Sequence, residues 1–122
     1  MIEVLSDMPE GVTGFRVSGR VGGDELRDFR STMEAMLAGD EIRLVEVVSD
    51  DYEGFGPGGL LEDMKLGFGT LMQHHSGFRR VAVVCDKEWV AHALHAVGWL
   101  VPGELRLFAL SDLETAKSWA AG

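Results

Sequence analysis

The chain is short of most things that would give a function away. It has one cysteine, Cys85, in 122 residues, so no disulfide can form within it. Cationic side chains are scarce: 11 Lys and Arg stand against 20 Asp and Glu, a formal charge of −9. Phosphate backbones and anionic lipid surfaces are met with clustered Lys and Arg. The densest basic spot is the pair Arg79-Arg80, so nucleic acid is excluded as a partner. No apolar run approaches the ~18 residues that a membrane span needs. The N-terminus has no basic-then-apolar leader, and the expected location is the cytoplasm. Nor is there a nucleophile elbow or an HExxH pair, so no catalytic residue is assigned and the chain is not expected to be an enzyme.

What is present is an ordinary globular composition, 46% hydrophobic, long enough for one domain over residues 1–122. Met1–Leu5 and Val12–Ser18, joined by a Pro- and Gly-bearing turn, suggest an antiparallel pair. Gly22-Gly23-Asp24 opens a helix with Asp24 as its N-cap. Leu26, Phe29, Met33, Met36 and Leu37 follow at helical spacing, and Gly39 ends it. Ile42–Val48 is apolar on both sides of the alternation, as a strand covered on two faces would be.

Ser49–Gly59 carries four glycines and a proline and is expected to be a loop. Leu60–His75 then has Leu60, Leu61, Met64, Phe68, Leu71, Met72 and His75 on one wide helical face. Gly67 and Gly69 weaken that helix by ~1 kcal/mol each against Ala. Arg80–Cys85, built on Val81, Val83 and Val84, is the strongest strand. Asp86 is expected to cap a helix running to Val97, with Trp89, Ala93 and Val97 on its inner face. Glu104–Phe108 is a last strand. Ser111 and Glu114 fit a capping box for a final helix carrying Leu113, Ala116 and Trp119 inward. The order β-β-α-β-α-β-α-β-α implies an α/β fold: a mixed, mostly parallel sheet with right-handed crossovers.

Short matches fall in order along the chain: Gly14-Phe15 with Gly19, Glu53-Gly54-Phe55, Asp63-x-Lys65-x-Gly67 and Phe78-x-Arg80-Val81-Ala82-Val83-Val84. Asp86-x-x-Trp89-x-x-His92 and Pro102-x-Glu104-x-Arg106-x-Phe108 complete them. With this order and spacing the chain resembles the SpoIIAA-like family, bacterial relatives of the STAS domain of sulfate transporters and anti-sigma-factor antagonists. The resemblance implies a five-stranded sheet with four helices. It also implies helix movement that opens a cavity for non-polar molecules. Members have no settled biochemical role. Many carry an aromatic residue where this chain has Leu61, so a cavity here would have a different shape.

STAS relatives that regulate sigma factors carry a phosphorylatable Ser or Thr where the third strand hands over to the second main helix. Pro57-Gly58-Gly59-Leu60 stands at that place. The nearest hydroxyls, Ser49 and Tyr52, lie among Asp50, Asp51 and Glu53, which would repel a phosphate. The glycines of residues 54–59 are followed by no Lys-Ser/Thr and make no phosphate loop. Asp50-Asp51 could hold a cation only weakly.

His92 and His95 share a helix face, and Cys85 and Asp86 stand near them in sequence. Zinc wants three or four converging ligands, and a polar helix face explains the pair as well, so no metal is assigned. Cys85, followed by Asp86, is expected to be a small buried hydrophobe rather than a reactive thiol. Met33, Met36, Met64 and Met72 are read as core filler, with an adaptable apolar surface as the alternative. Lys65 borders its helix's apolar face, where its stem covers apolar surface or its ammonium holds an anionic head group.

The leading expectation is a non-enzymatic domain that binds a non-polar or amphipathic small molecule, or a lipid, with no cofactor. The site would lie between the second and third predicted helices. Phe55, Leu61, Met64, Phe68 and Trp89 supply its walls and Lys65 its edge. The alternative is a regulatory protein–protein module, such as a homodimer, that uses the same helix face without a phosphorylatable switch. Membrane contact would be transient at most.

Overall fold

In a computed structural model the chain is described over residues 1–36, 41–55, 77–97 and 103–122. The strands are β1 Ile2–Leu5, β2 Thr13–Val17, β3 Arg20–Val21, β4 Ile42–Val48, β5 Gly54–Phe55, β6 Phe78–Val84 and β7 Glu104–Phe108. The helices described are α1 Gly23–Met36, α2 Glu88–Val97 and α3 Leu113–Ala121, the last entered through a 3-10 turn at Leu110–Asp112. The expected Leu60–His75 helix, together with Leu37 and Gly39, lies outside the described residues.

Five strands make one sheet in the order β1-β2-β4-β6-β7. β1 runs antiparallel to β2, with Ile2 opposite Val17. The other neighbours, β2/β4, β4/β6 and β6/β7, are parallel. The strands follow chain order across the sheet. Crossovers of one hand then put their helices on one face. The two cores agree. Leu26, Phe29 and Met33 of α1 pack with Phe15, Leu44 and Val83, and Val90 of α2 joins them. Ala116 and Ala120 of α3 close the other face over Val45, Val47, Ala82 and Val84.

β4 shows why a two-sided strand lacks clean alternation. Ile42, Leu44 and Val48 serve the crossover face while Val45 and Val47 serve the α3 face. β6 meets β4 through a bulge: Ile42 pairs with Phe78 but Arg43 pairs with Arg80. The extra residue, Arg79, inverts the alternation. Phe78 therefore joins the crossover core, while Arg80 turns to the α3 face.

On that face two arginines hold the end of α3. Arg43 donates to the Ala120 carbonyl at 3.0 Å and Arg80 to the Trp119 carbonyl at 2.7 Å. The Arg80 guanidinium also lies 5.1 Å from the centre of the Trp119 ring, which packs on Phe108. Helix C-termini present unpaired carbonyls and partial negative charge, and both guanidiniums meet them.

α3 packs through its expected residues Leu113, Ala116 and Trp119, and it buries a lysine besides. Lys117 is buried beside Ala116 and Ala120, while Leu113 and Trp119 flank the core, partly buried. The Lys117 stem covers apolar surface, and its ammonium reaches Asp7 and Glu114, each at 2.9 Å. Glu114 is thereby drawn away from a capping box. Ser111 lies inside the 3-10 turn, Asp112 stands at the N-cap, and no side chain caps the helix. Asp24 is likewise not a cap: α1 begins at Gly23, and Asp24 pairs with Arg27 at 2.8 Å in the first turn. The helix is entered two residues earlier than the carboxylate suggested, with the Gly22 carbonyl accepting the Leu26 N–H at 3.1 Å. No helix among the described residues is long and apolar enough to cross a membrane.

Two outcomes are expected. Arg80→Ala removes a charged hydrogen bond and a ring contact, and should lower the urea-unfolding free energy by about 1.5–3 kcal/mol. The second concerns pH. The Lys117 hydrogen bond holds the Asp7 carboxyl below its ordinary range. Hydrogen bonds to Glu114 and Asp7 hold Lys117 above its own. A depressed acid stabilises the fold above its ordinary range and loses that contribution as pH falls through its folded value. A raised lysine stabilises below its ordinary range and loses it as pH rises through its folded value. The difference in urea midpoint between wild type and Asp7→Asn should therefore be flat from about pH 5 to pH 10. It should vanish in stronger acid and shrink in stronger base.

Candidate functional site

Parallel strands send their connecting loops out at their carboxyl ends, where open α/β sheets bind ligands. Here the loops after β2, β4 and β6 meet. Gly19 follows β2 with φ +58°, and Gly54 opens β5 with φ +102°, both in the left-handed region that side chains rarely adopt. Those two turns let β3 and β5 pair in parallel, Arg20 opposite Gly54 and Val21 opposite Phe55. Ser49 N–H donates to the Val17 carbonyl at 3.0 Å, and Glu53 N–H to the Gly19 carbonyl at 2.8 Å. Arg20 and Glu53 pair at 3.5 Å above them. The stretch expected to be wholly a loop is thus stitched to the sheet as far as Phe55.

This stitching turns Tyr52 inward. Its N–H donates to the Ser49 carbonyl at 3.0 Å, and the ring joins the crossover core at 8% exposure. Trp89, in the first turn of α2, stacks on it with ring centres 6.0 Å apart and planes 22° from parallel. Trp89 is 51% exposed. Its expected place on the inner face of the helix is therefore corrected. α2 starts at Glu88 on the rim of the sheet, so Trp89 overhangs the loops while Val90 packs on the core. Asp86 is not the cap of that helix either. Its carboxylate accepts the Leu110 N–H at 3.0 Å and ties the β6 loop to the 3-10 turn. Lys87 ties the same loop to its other neighbour, donating from Nζ to the Asp50 carbonyl at 2.9 Å.

Cys85 lies at the base of this rim, partly buried against the core. Its Sγ accepts the Lys87 N–H at 3.2 Å. Burial pushes the thiol above its ordinary value, against the opposing pull of that hydrogen bond and the Lys87 charge. A thiol so held stays protonated at neutral pH and makes a poor nucleophile. His92 and His95 are exposed on α2. No three His, Cys, Asp or Glu side chains among the described residues are grouped to hold a metal ion.

The rim is thus an aromatic shelf with a buried tyrosine behind it. Of the expected site residues, Trp89 stands on the shelf, and Phe55 is the second residue of β5, three positions from Tyr52. Leu61, Met64, Lys65 and Phe68 lie outside the described residues. Tyr52 was missed. As the sole tyrosine, set between Asp51 and Glu53, it shows no apolar periodicity. Gly54 after its loop, and Gly19 in the neighbouring one, were the available signal.

The family model described as SpoIIAA-like matches residues 12–121. Among solved structures, an uncharacterised protein with a SpoIIAA-like fold from Shewanella loihica is similar over 98% of this chain and 93% of its own. The TM-score is 0.77 and the sequence identity 23%, a likeness of fold. No curated protein matches.

The shelf separates support from surface. Tyr52→Ala should cost about 3–5 kcal/mol in urea unfolding, as truncation of a core aromatic does. Trp89→Ala should cost only about 1 kcal/mol, the scale of a ring–ring contact.

Proposed function

The chain belongs to the SpoIIAA-like family, and we propose that it is a non-enzymatic domain that binds a non-polar or amphipathic small molecule on the Tyr52–Trp89 shelf. The fold supports a binding or regulatory module in general. The observation that carries the finer reading is a half-exposed tryptophan held flat against a buried tyrosine at the carboxyl rim of the sheet. Apolar ligands are taken up by such walls, with a few polar groups to orient them. Leu61, Met64 and Phe68, with Lys65 at their edge, belong to the same proposal on their helical spacing, and Phe55 by its nearness to Tyr52 in β5.

A second reading is a protein–protein module. Exposed tryptophans anchor interfaces, and Val4 on the edge strand β1 is 51% exposed. Native mass spectrometry of freshly purified protein against the denatured chain separates the two. A mass excess that disappears on denaturation, and is absent from Trp89→Ala, is the expected result. A dimer of bare chains would favour the interaction module. Bare monomer that also fails to take up added decanol would overturn the ligand reading.

A further inference from the structure

In an antiparallel pair, opposed residues alternate between those that exchange both backbone hydrogen bonds and those whose N–H and C=O point away. Met1 and Ser18 exchange both: the Ser18 N–H donates to the Met1 carbonyl at 2.8 Å, and the Met1 ammonium donates to the Ser18 carbonyl. The register of β1 on β2 runs on from there, with Ile2 opposite Val17, Glu3 opposite Arg16 and Val4 opposite Phe15. Ile2 and Val4 therefore turn their backbone groups outward, away from β2. Among the described residues β1 ends the strand order, so that outward row is where a further strand would add. Val4 stands there 51% exposed.

Ile2 is already taken. Its N–H donates to Glu25 Oε2 at 2.6 Å. Glu25 lies half-buried in the first turn of α1, and its Oε1 is 3.4 Å from the Met1 ammonium. A hydrogen bond to a charged acceptor is among the stronger ones, and this carboxylate stands where the carbonyl of an added strand would have to come. The Ile2 side chain packs on the same core as α1, which fixes both ends of the contact. We propose that β1 is a gated edge. Glu25 keeps it shut, and with that carboxylate gone a second copy of this chain adds through β1, antiparallel about a two-fold axis at Val4. That register is self-complementary. The outward N–H and C=O of each Val4 meet those of the other, and both valines lie on one face of the joined sheet. Glu3 faces the second copy's Leu5, and the Ile2 N–H goes to the second copy's Ser6 carbonyl in place of Glu25. The inference goes beyond both readings of function and depends on neither.

Disulfide cross-linking tests it. Val4→Cys in a Cys85→Ala background puts one thiol per chain on β1. The two-fold register brings the two Cα atoms to about 5.5 Å, within disulfide reach. With diamide as oxidant, the chain that keeps Glu25 should cross-link slowly. Adding Glu25→Ala should speed cross-linking by at least about tenfold, the scale of one charged hydrogen bond. Glu25→Gln keeps an oxygen for the Ile2 N–H, and Glu34→Ala removes an exposed carboxylate elsewhere on α1. Both should stay near the parent rate. Amide hydrogen exchange on Glu25→Ala alone should leave Glu3 and Arg16, which bond across β1 and β2, as protected as before. Loss of their protection would mean that β1 leaves the sheet instead of opening to a partner, and would overturn the proposal. An unchanged cross-linking rate in Glu25→Ala would overturn it too. So would equal acceleration by Glu25→Gln or Glu34→Ala, since net charge would then be the cause.

Discussion

Strands laid parallel and in chain order must be joined by crossovers, and crossovers of one hand fall on one face. That constraint organises the molecule. It brings α1 and α2 over Phe15, Leu44 and Val83, while α3 packs on the opposite face. It also gathers the loops after β2, β4 and β6 at one rim. There Gly19, Tyr52 and Lys87 come within hydrogen-bonding or stacking reach of neighbouring loops, although they are far apart in the chain. The two rims differ in kind. Guanidiniums secure the far end of the sheet by holding α3, and carboxylates crowd the rim that bears the aromatic pair.

Most of the fold was legible because its signals are local. Short runs of apolar residues gave Ile42–Val48 and Glu104–Phe108 their observed bounds, and the turn before Val12 gave the antiparallel pair. The misses have a common cause. Capping was read from single carboxylates and hydroxyls, yet Asp24, Asp86 and Glu114 each found another partner. Asp24 found Arg27 within its own helix, Glu114 found Lys117, and Asp86 reached a backbone N–H 24 residues away. The β3/β5 pair is two residues long on each side, too short for any periodicity to show.

The site was less legible than the fold for the same reason. Trp89 was named as a candidate site residue and placed on the inner side of its helix, where the structure leaves it half exposed, because helical spacing does not say where a helix begins relative to the sheet's edge. Tyr52 has no pattern of its own; loop pinning by backbone hydrogen bonds turns it inward. Lys117 shows that charge alone is a poor guide to exposure when a lysine stem can lie on apolar surface and two carboxylates wait at its end.

The central claim is that ligands meet this protein at the carboxyl rim, on Trp89. Fluorine NMR of protein carrying 5-fluorotryptophan addresses it directly, with each resonance assigned by its loss in a Trp→Phe variant. On adding decyl glucoside, the Trp89 resonance should shift with increasing ligand and saturate, while that of Trp119, packed on Phe108 on the opposite face of the sheet, stays in place. A shift confined to Trp119, or no shift at Trp89 at saturating probe, would contradict the account.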